Sequence, residues 1–520
     1  MQGDDDRPLG WWQTRWFVAA MALAAIVPLL WQTIPPLVDY PGHVGRYRIL
    51  DEAGTPPLAA HWAVHWSLIG NLGVDLLVLA LHPLLDVEPA ARLIVTLIPP
   101  LTVLAMLWIA REAHGRLPAS AGLALPLAFG FPFQLGFINF CLAQAMALAG
   151  LALWLRLART RPAAWRIALF APIAAVTWLA HSFGWAMLGL FVLAAEWQLA
   201  RADGLGVWRA GRHAALFCLP MALPLAARLA GGQRAGDTGD WFNLLAKAQW
   251  VVSLLRDHWQ WWDLAGVALI ACTLWAAIRS PRLRFVPVLG VPALAGIAAF
   301  LCLPRLADGG AYVDMRMLPA SVALALLAVE VRPDSDRLER RLALTASAFV
   351  AARTVATTLS FLLYAQDQAM VLRALPSLPQ GSGTLVLVDQ PGAPWSPSRL
   401  AHIAGIATAR RRVFTNEQWA IPGQQPIRPL HPSAAPLDRD PSQLVYPEDA
   451  SYRTTDLDAA IARFDRCTFS RVWTIGFPVG RVSAPDLRPI WADPRSAVYA
   501  VRAPLPDACR AAVHRDRPAT

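Results

Sequence analysis

Apolar runs recur along the first two thirds of the chain and then stop. From Arg15 to Leu363 the sequence repeats apolar stretches of about 17–22 residues, each near the length of a helix that crosses a bilayer. After Ala365 the chain becomes rich in proline, aspartate and arginine. The pattern predicts an all-α bundle of transmembrane helices over residues 1–365 and a C-terminal water-soluble domain over residues 366–520. The eleven predicted spans are residues 15–34, 90–110, 117–135, 137–155, 165–181, 183–200, 213–230, 260–278, 284–303, 315–331 and 341–363.

The C-terminal region alternates short β-rich runs with helical stretches, which is typical of a small α/β domain. It contains no phosphate-binding loop and no nucleophile elbow. The predicted strands are Thr384–Val388, Arg412–Thr415, Arg471–Ile475 and Ala497–Val501, the predicted helices are Pro397–Ala409 and Thr455–Phe464, and residues 421–447 form a Pro-rich loop.

Positive charge lies in short clusters between the apolar runs. The chain is 56% hydrophobic and 16% charged, and its formal net charge is +10. Basic clusters follow the second, fourth, sixth, eighth and tenth predicted spans. The positive-inside rule predicts that these loops and the N-terminus are cytoplasmic. Eleven spans then place residues 366–520 on the extracytoplasmic side. No nucleic-acid motif accompanies the charge, so we expect no nucleic-acid partner. Lys247 is the only lysine among 46 basic residues, a bias typical of GC-rich bacteria, and we expect a bacterial inner membrane.

The charge pattern also decides how residues 67–85 are interpreted. This segment is apolar enough to cross, but a crossing would place every later basic cluster outside. It also contains Asn71, Asp75 and His82. We therefore predict a membrane-associated helix within a long outer loop, residues 35–89. The alternative is that it crosses and that another span has been missed elsewhere.

Polar residues that composition does not explain gather in this outer loop. Asp39 follows the first span, and His43 and Arg46 lie four and seven residues further on, so a helix places all three on one face. A carboxylate in that position suits a general base acting on a sugar hydroxyl. We predict Asp39 and His43 as catalytic residues and Arg46 and Tyr47 as substrate contacts. The alternative for Asp39 is a polar cap where a helix leaves the membrane.

Further polar side chains lie on the predicted outer side or inside spans, where charge is costly and marks function. Arginine and lysine near a carboxylate suit an anionic lipid head such as a phosphate. The alternative role of His181 is packing within the protein. The alternative role of Arg353 is an ion pair that joins two helices. The predicted substrate- and phosphate-binding residues, beyond those of the first loop, are Asn139, His181, Lys247, Arg305, Asp314, Arg316 and Arg353.

The order of these features resembles the GT-C class of membrane glycosyltransferases, with the protein O-mannosyltransferases and the lipid A aminoarabinose transferases as the nearest comparison. The resemblance lies in the acidic first loop, the amphipathic segment 67–85 and the start of the second span at Val87–Leu93. The hairpin Gly136–Phe140 and the stretch Asp314–Arg316 also look like bacterial membrane proteins of this class. The resemblance implies transfer of a sugar from a polyprenyl-phosphate carrier to a glycan, lipid or protein acceptor, with Asp39 as the base.

The sequence leaves several questions open. Asp39 is followed by Tyr40 and Pro41, where the resemblance would lead one to expect a second acid, and no metal-binding motif is present, so the need for a divalent metal is undecided. Cys467 and Cys509 both lie in the exported domain, where an oxidising environment permits a disulfide. A transporter or flippase of a lipid-linked or soluble solute and a non-catalytic envelope assembly protein are the alternative functions.

Overall fold

The structure is a computed structural model that describes residues 9–230, 237–307, 309–333, 335–390, 395–421, 423–431, 443–446, 456–478 and 480–502. The chain divides into two compact units. The helical unit comprises Met1–Trp31, Gly70–Val74 and Val95–Ser360, and the sheet unit comprises Gln32–Ile69, Asp75–Ile94 and Phe361–Thr520. Most of the first loop therefore groups with the C-terminal region. The domain boundary at residues 365 and 366 stays a prediction.

Helices dominate the described part of the chain. Short 3₁₀ turns at Leu125–Phe129 and Leu219–Ala222 interrupt the helical segments of the third and seventh predicted spans. In chain order the helices are α1 (Arg15–Ala24), α2 (Tyr40–Asp51), α3 (Gly73–Leu81), α4 (Val87–His114), α5 (Ala121–Ala124), α6 (Phe131–Gln134), α7 (Ile138–Thr160), α8 (Ala163–Ala180), α9 (Ser182–Ala202), α10 (Val207–Cys218), α11 (Leu223–Ala230), α12 (Leu244–Val252), α13 (Gln260–Arg279), α14 (Pro287–Cys302), α15 (Met317–Leu327), α16 (Asp336–Val371), α17 (Gly405–Arg411) and α18 (Leu457–Arg463).

Each predicted span falls mainly on helical segments, although the span 284–303 begins in the strand Leu283–Phe285 and the span 315–331 ends in the strand Val329–Val331. Within the described residues, six helical segments are long and apolar enough to cross a membrane, and three shorter apolar ones accompany them. The six are Val87–His114, Ile138–Thr160, Ala163–Ala180, Ser182–Ala202, Gln260–Arg279 and Asp336–Ser377. This composition fits a polytopic membrane protein. The total of eleven crossings and the orientation of the termini stay predictions.

The segment 67–85 contains one short helix. It is α3, with nine residues, and at about 1.5 Å per residue it extends for roughly 14 Å. A bilayer core is about 30 Å thick, so α3 is too short to cross it as a helix. The position of this helix in an outer loop stays a prediction.

A mixed six-stranded sheet forms the centre of the sheet unit. In chain order the strands are β1 (Trp62–Val64), β2 (Leu283–Phe285), β3 (Val329–Val331), β4 (Gly383–Asp389), β5 (Phe414–Thr415), β6 (Ile427–Pro429), β7 (Leu444–Val445), β8 (Arg471–Ile475), β9 (Leu487–Asp493) and β10 (Ser496–Val501). The strand order in this sheet is β5-β4-β8-β10-β9, with β7 also pairing with β4. Strand β4 pairs in parallel with β5, β7 and β8, whereas β10 runs antiparallel to β8 and β9.

The predictions for the C-terminal region need four corrections. Helix α17 begins eight residues later than predicted, since residues 399–404 form turns, and the strand predicted at 412–415 is only β5. The predicted loop 421–447 contains β6 and β7, while residues 432–442 lie outside the described residues. Strand β9 was not predicted. Cys467 is disulfide-bonded, and Cys509 lies outside the described residues.

Candidate active site

Asp39 occupies the N-cap position of α2, a helix that is buried along nearly its whole length. Pro41 lies in the first turn, where its fixed φ favours helix and its missing N–H costs nothing. Tyr40 and Tyr47 are almost completely buried, and burial raises the pKa of both hydroxyls. The Asp39 carboxylate, in contrast, retains 15% of its surface exposed. Its position at a helix N-terminus, where the helix dipole is positive, favours negative charge there.

Glycines allow α2 to approach the segment around α17 very closely. A Cβ on Gly42 would lie 2.6 Å from Glu417 Oε1, and a Cβ on Gly405 would meet the Pro41 carbonyl oxygen. Position 405 therefore requires glycine for space, whereas a Cβ at position 42 would have to displace the Glu417 carboxyl group. Asn416 fixes the start of the next segment, because its side chain accepts a hydrogen bond from Val386 N at 2.7 Å and donates one to Val386 O at 3.1 Å.

This packing places an imidazole between two carboxyl groups. His402 Nε2 lies 3.8 Å from Asp39 Oδ1, and His402 Nδ1 lies 3.8 Å from Glu417 Oε1. Glu417 is fully buried and accepts hydrogen bonds from Gln418 Nε2 at 2.9 and 3.2 Å. Asp39 is therefore the most exposed member of this group.

Burial leaves both inner members of the group neutral near pH 7. Burial raises the pKa of Glu417 to about 8, with repulsion from Asp39 adding to the shift and the Gln418 hydrogen bond and Arg46 opposing it. Burial lowers the pKa of His402 to about 3. The chain therefore sets a neutral imidazole and a protonated carboxyl beside the accessible Asp39.

Aromatic rings surround the same group. The ring of Trp419 lies 4.1 Å from that of His402 and 6.2 Å from that of His43, measured between centroids. His43 stacks on Tyr47 at 6.3 Å. The predicted pair Asp39 and His43 thus lies at a partly exposed edge lined by Trp419. The Tyr47 hydroxyl is buried and has no hydrogen-bond partner among the described residues.

Arg46, predicted as a substrate contact, is engaged within the protein. Its Nε donates to Asp75 Oδ1 at 2.7 Å and its Nη2 donates to Asp75 Oδ2 at 3.1 Å, with side-chain exposures of 1% and 0%. This bidentate pair joins α2 to α3.

The predicted residues of the helical unit form separate groups. Arg316 Nη1 lies 3.0 Å from His181 Nε2, and its guanidinium lies over the rings of Phe137 and Phe140, at 4.6 and 5.6 Å. Within this group, Arg316 is half-buried. Asn139 instead accepts a hydrogen bond from Val74 N at 2.6 Å, which satisfies a donor in the first turn of α3.

Two predicted cations are buried and paired. Lys247 Nζ donates to Phe300 O at 2.7 Å, to Leu303 O at 3.0 Å and to Asp314 Oδ2 at 3.1 Å. Arg353 donates to Asp263 Oδ1 at 2.7 Å. This contact matches the alternative role of Arg353, an ion pair that joins two helices. These contacts hold α12 to the C-terminal end of α14, and α16 to α13.

Arg305 differs from these two cations by its exposure. Its side chain is 36% exposed, and Nη1 lies 3.4 Å from Asp240 Oδ2. No group of three His, Cys, Asp or Glu side chains is placed to hold a metal ion in the part of the chain that the structure describes.

His402 and Glu417 were not predicted as site residues. The polar run Asn416–Gln418 directly after a buried strand is a signal that points to Glu417. His402 gave no such signal, since it lies in a stretch predicted to be an ordinary helix.

Comparison with known proteins returns structural likeness alone. No protein-family model matches the chain, and no curated protein matches it. The chain is similar to ArnT from Cupriavidus metallidurans bound to undecaprenyl phosphate, with 15% identity and a TM-score of 0.47, and to the same protein in the apo state, with 14% identity and a TM-score of 0.49. Each match covers 93% of this chain and 97% of the other. The likeness transfers neither a substrate nor a residue role.

Proposed function

We propose that the chain is a GT-C-like glycosyltransferase that moves a sugar from a polyprenyl-phosphate carrier to an extracytoplasmic acceptor, with Asp39 as general base. The observation that carries the proposal is the group of Asp39, His402 and Glu417. Asp39 is its accessible carboxylate, while the other two members are buried and neutral near pH 7. An accessible carboxylate within hydrogen-bond reach of an acceptor group is what general-base catalysis requires.

The chemistry assigned to Asp39 is a single proton transfer. The acceptor oxygen or nitrogen forms a bond to the anomeric carbon of the donor sugar, and the bond from that carbon to the carrier phosphate oxygen breaks. The carrier phosphate leaves with the electron pair, and Asp39 takes the proton of the acceptor group. Proton removal by a positioned carboxylate contributes roughly 10²–10⁴-fold to such reactions.

For the carrier phosphate we propose Arg316, assisted by Arg305. The aromatic rings under Arg316 fix its guanidinium plane, and a fixed planar guanidinium suits bidentate binding of phosphate oxygens. Arg305 is the more exposed of the two and suits the first capture of an anionic head. Lys247, Asp314, Arg353, Arg46 and Asn139 are given structural roles, because the contacts described above engage them.

The test is a transfer assay with purified protein in lipid nanodiscs. Synthetic polyprenyl-phosphate sugars serve as donors and an inner-membrane extract as acceptor, and donor consumption and product mass are followed by mass spectrometry. We expect Asp39→Asn to lower the rate by roughly 10²–10⁴-fold while the apparent melting temperature stays close to that of the unmodified protein.

Asp51→Asn is the matched control, because it makes the same change at the other end of α2, about 18 Å along the helix axis. We expect it to retain transfer. Equal rates for Asp39→Asn and the unmodified protein would remove Asp39 from the mechanism. Absence of transfer from every polyprenyl donor would overturn the proposed activity itself.

A further inference from the structure

The orientation of the Gln443 side chain is fixed by a neighbouring carbonyl. Gln443 Nε2 lies 3.0 Å from Ala401 O, which only accepts hydrogen bonds, so the amide nitrogen and not the amide oxygen faces that carbonyl. The same nitrogen lies 3.2 Å from His402 Nδ1. The sheet holds Gln443 in this place, because Val388 N donates to Gln443 O at 2.7 Å directly before β7.

The amide orientation determines the tautomer of His402. A nitrogen that receives an N–H from Gln443 carries no proton itself, so Nδ1 is the acceptor and Nε2 carries the hydrogen in the neutral ring. The Glu417 carboxyl also faces Nδ1, and in its protonated form it favours the same tautomer. The protonated Nε2 therefore lies 3.8 Å from Asp39 Oδ1.

We propose that His402 is a positioning residue for Asp39: the neutral imidazole, held by Gln443 as the Nε2–H tautomer, donates a hydrogen bond to the Asp39 carboxylate. This inference rests on the proposed function for its catalytic meaning. The donated bond orients the second oxygen of Asp39 towards the acceptor and stabilises the ionised form that a base needs. The present 3.8 Å separation exceeds a hydrogen bond of about 2.7–3.2 Å, and catalytic hydrogen bonds commonly shorten when substrate is bound.

The charged and titratable groups around His402 are consistent with this role. Asp39 faces the ring from the start of α2, and Glu417 faces it from the segment after β5. Arg46 is engaged by Asp75 and acts on Glu417 through space. The competing explanation is that His402 only packs against Trp419, whose ring lies 4.1 Å away.

Three substitutions separate positioning from packing. His402→Gln can place an amide N–H near the position of Nε2, so it retains a donor to Asp39. His402→Asn places its amide near Nδ1 and leaves Asp39 without that donor. His402→Phe keeps a ring for Trp419 but has no donor. If His402 only packs against Trp419, His402→Phe should disturb Asp39 least. If His402 positions Asp39, His402→Gln should disturb it least.

The direct readout is the pH dependence of carbodiimide labelling at Asp39, followed by peptide mass spectrometry on the full chain in nanodiscs. Carbodiimides react with the protonated carboxyl, so the labelling midpoint reports the pKa of Asp39. We expect His402→Gln to keep the midpoint of the unmodified protein. His402→Phe and His402→Asn should raise it by roughly 0.5–1 pH unit, because the ionised carboxylate loses a donor. If His402→Phe does not fold, the comparison of His402→Asn with His402→Gln still separates positioning from packing.

Identical labelling midpoints of Asp39 in all folded variants would overturn the positioning role. A midpoint that is raised in His402→Phe or His402→Asn but not in His402→Gln would support it. Labelling needs no sugar transfer, so this result stands apart from the proposed function. Where transfer is measured, the acid limb of kcat/KM should move with the labelling midpoint, and kcat should fall while KM changes little. An active protein whose acid limb is unmoved in His402→Asn would contradict the inference alone.

Discussion

At the scale of single residues, local environment decides the chemistry of groups that are alike in composition. Asp39 and Glu417 are both carboxylic acids on opposite sides of one imidazole. Asp39 begins a helix and reaches solvent, whereas Glu417 is fully buried and is held by Gln418. Burial disfavours the charged form of Glu417, and the helix N-terminus favours the charged form of Asp39. The same functional group thus lies in two different environments.

The raised pKa of Glu417 predicts how stability depends on pH. Its pKa rises from 4.5 to about 8 on folding, so between these values the folded chain holds a proton that the unfolded chain releases. The free energy of unfolding therefore falls as pH rises through this window, by at most about 1.4 kcal/mol per unit. The pKa of His402 falls from 6.5 to about 3, so its contribution is lost as pH drops through that range. Between 4.5 and 6.5 the two slopes oppose each other, and above 6.5 only that of Glu417 remains.

We therefore expect the apparent melting temperature in detergent to fall between pH 6.5 and pH 8. Glu417→Gln should flatten this decline, because the amide does not titrate. Glu88→Gln, which changes a partly exposed glutamate of the same unit, should leave the decline in place. A decline of equal steepness in Glu417→Gln would show that another group causes it.

At the scale of elements, the buried Arg46–Asp75 pair joins α2 to α3 and should be costly to break. Asp75→Asn leaves the Arg46 guanidinium buried without its counter-charge, which typically costs about 3–5 kcal/mol. The matched control is Glu88→Gln, which removes one partner of the more exposed pair with Arg410, a loss of about 1 kcal/mol or less. Apparent melting temperatures at pH 7 measure both.

The double variant Arg46→Met with Asp75→Leu tests the explanation. Because it removes both charges from the interior, we expect it to recover much of the loss seen in Asp75→Asn. A double variant as unstable as the single one would assign the effect to packing and not to uncompensated charge.

The elements that the sequence predicted are those with a strong local pattern. Long apolar runs became the helices α4, α7, α8, α9, α13 and α16, and β-rich runs became β4, β8 and β10. The sequence pattern did not predict β9, because the strand contains Pro489 and because its residues are partly or fully exposed. Proline is tolerated there since β9 is an edge strand, and its register with β10 shifts between Val498 and Tyr499, opposite Pro489.

The candidate site was predictable only where its residues are close in sequence. Asp39 and His43 are one helical turn apart, so helix periodicity places them together. His402 and Glu417 reach Asp39 only through the packing of α17 and the segment after β5 on α2, which local pattern does not encode. The buried pairs of Arg46, Lys247 and Arg353 were missed as pairs for the same reason, although a helix-joining partner was weighed for Arg353.

At the scale of the whole molecule, buried charges within the helical unit are satisfied between helices. Lys247 pairs with Asp314, Arg353 with Asp263, and Arg166 with Glu196 at 2.5 Å. Burying a charge is costly unless it is paired, and these pairs allow charged residues within apolar helices. Arg305 and Arg316 differ from these three cations because their side chains remain partly exposed. Of these five cations, Arg305 and Arg316 are therefore the ones that we propose for an anionic ligand.

The corresponding prediction concerns the lipid that the protein retains. After gentle detergent purification, native mass spectrometry should detect a bound polyprenyl phosphate or its sugar-linked form. Replacing both Arg305 and Arg316 by glutamine should reduce its occupancy by roughly tenfold or more, since charge-assisted contacts to phosphate are worth about 1.5–3 kcal/mol each. Arg284→Gln is the control, because it removes an exposed arginine that is paired with Glu330 and is predicted to lie on the cytoplasmic side.

The alternatives give different spectra. Unchanged occupancy in the double variant would place the carrier phosphate away from both arginines, even if the lipid itself is present. Loss of lipid in the double variant with normal occupancy in Asp39→Asn would separate donor binding from proton transfer, as the proposed division of roles requires. Retention of bulk phospholipid alone by the unmodified protein would count against a polyprenyl carrier, and transport of a soluble or lipid-linked solute would then be the activity to measure.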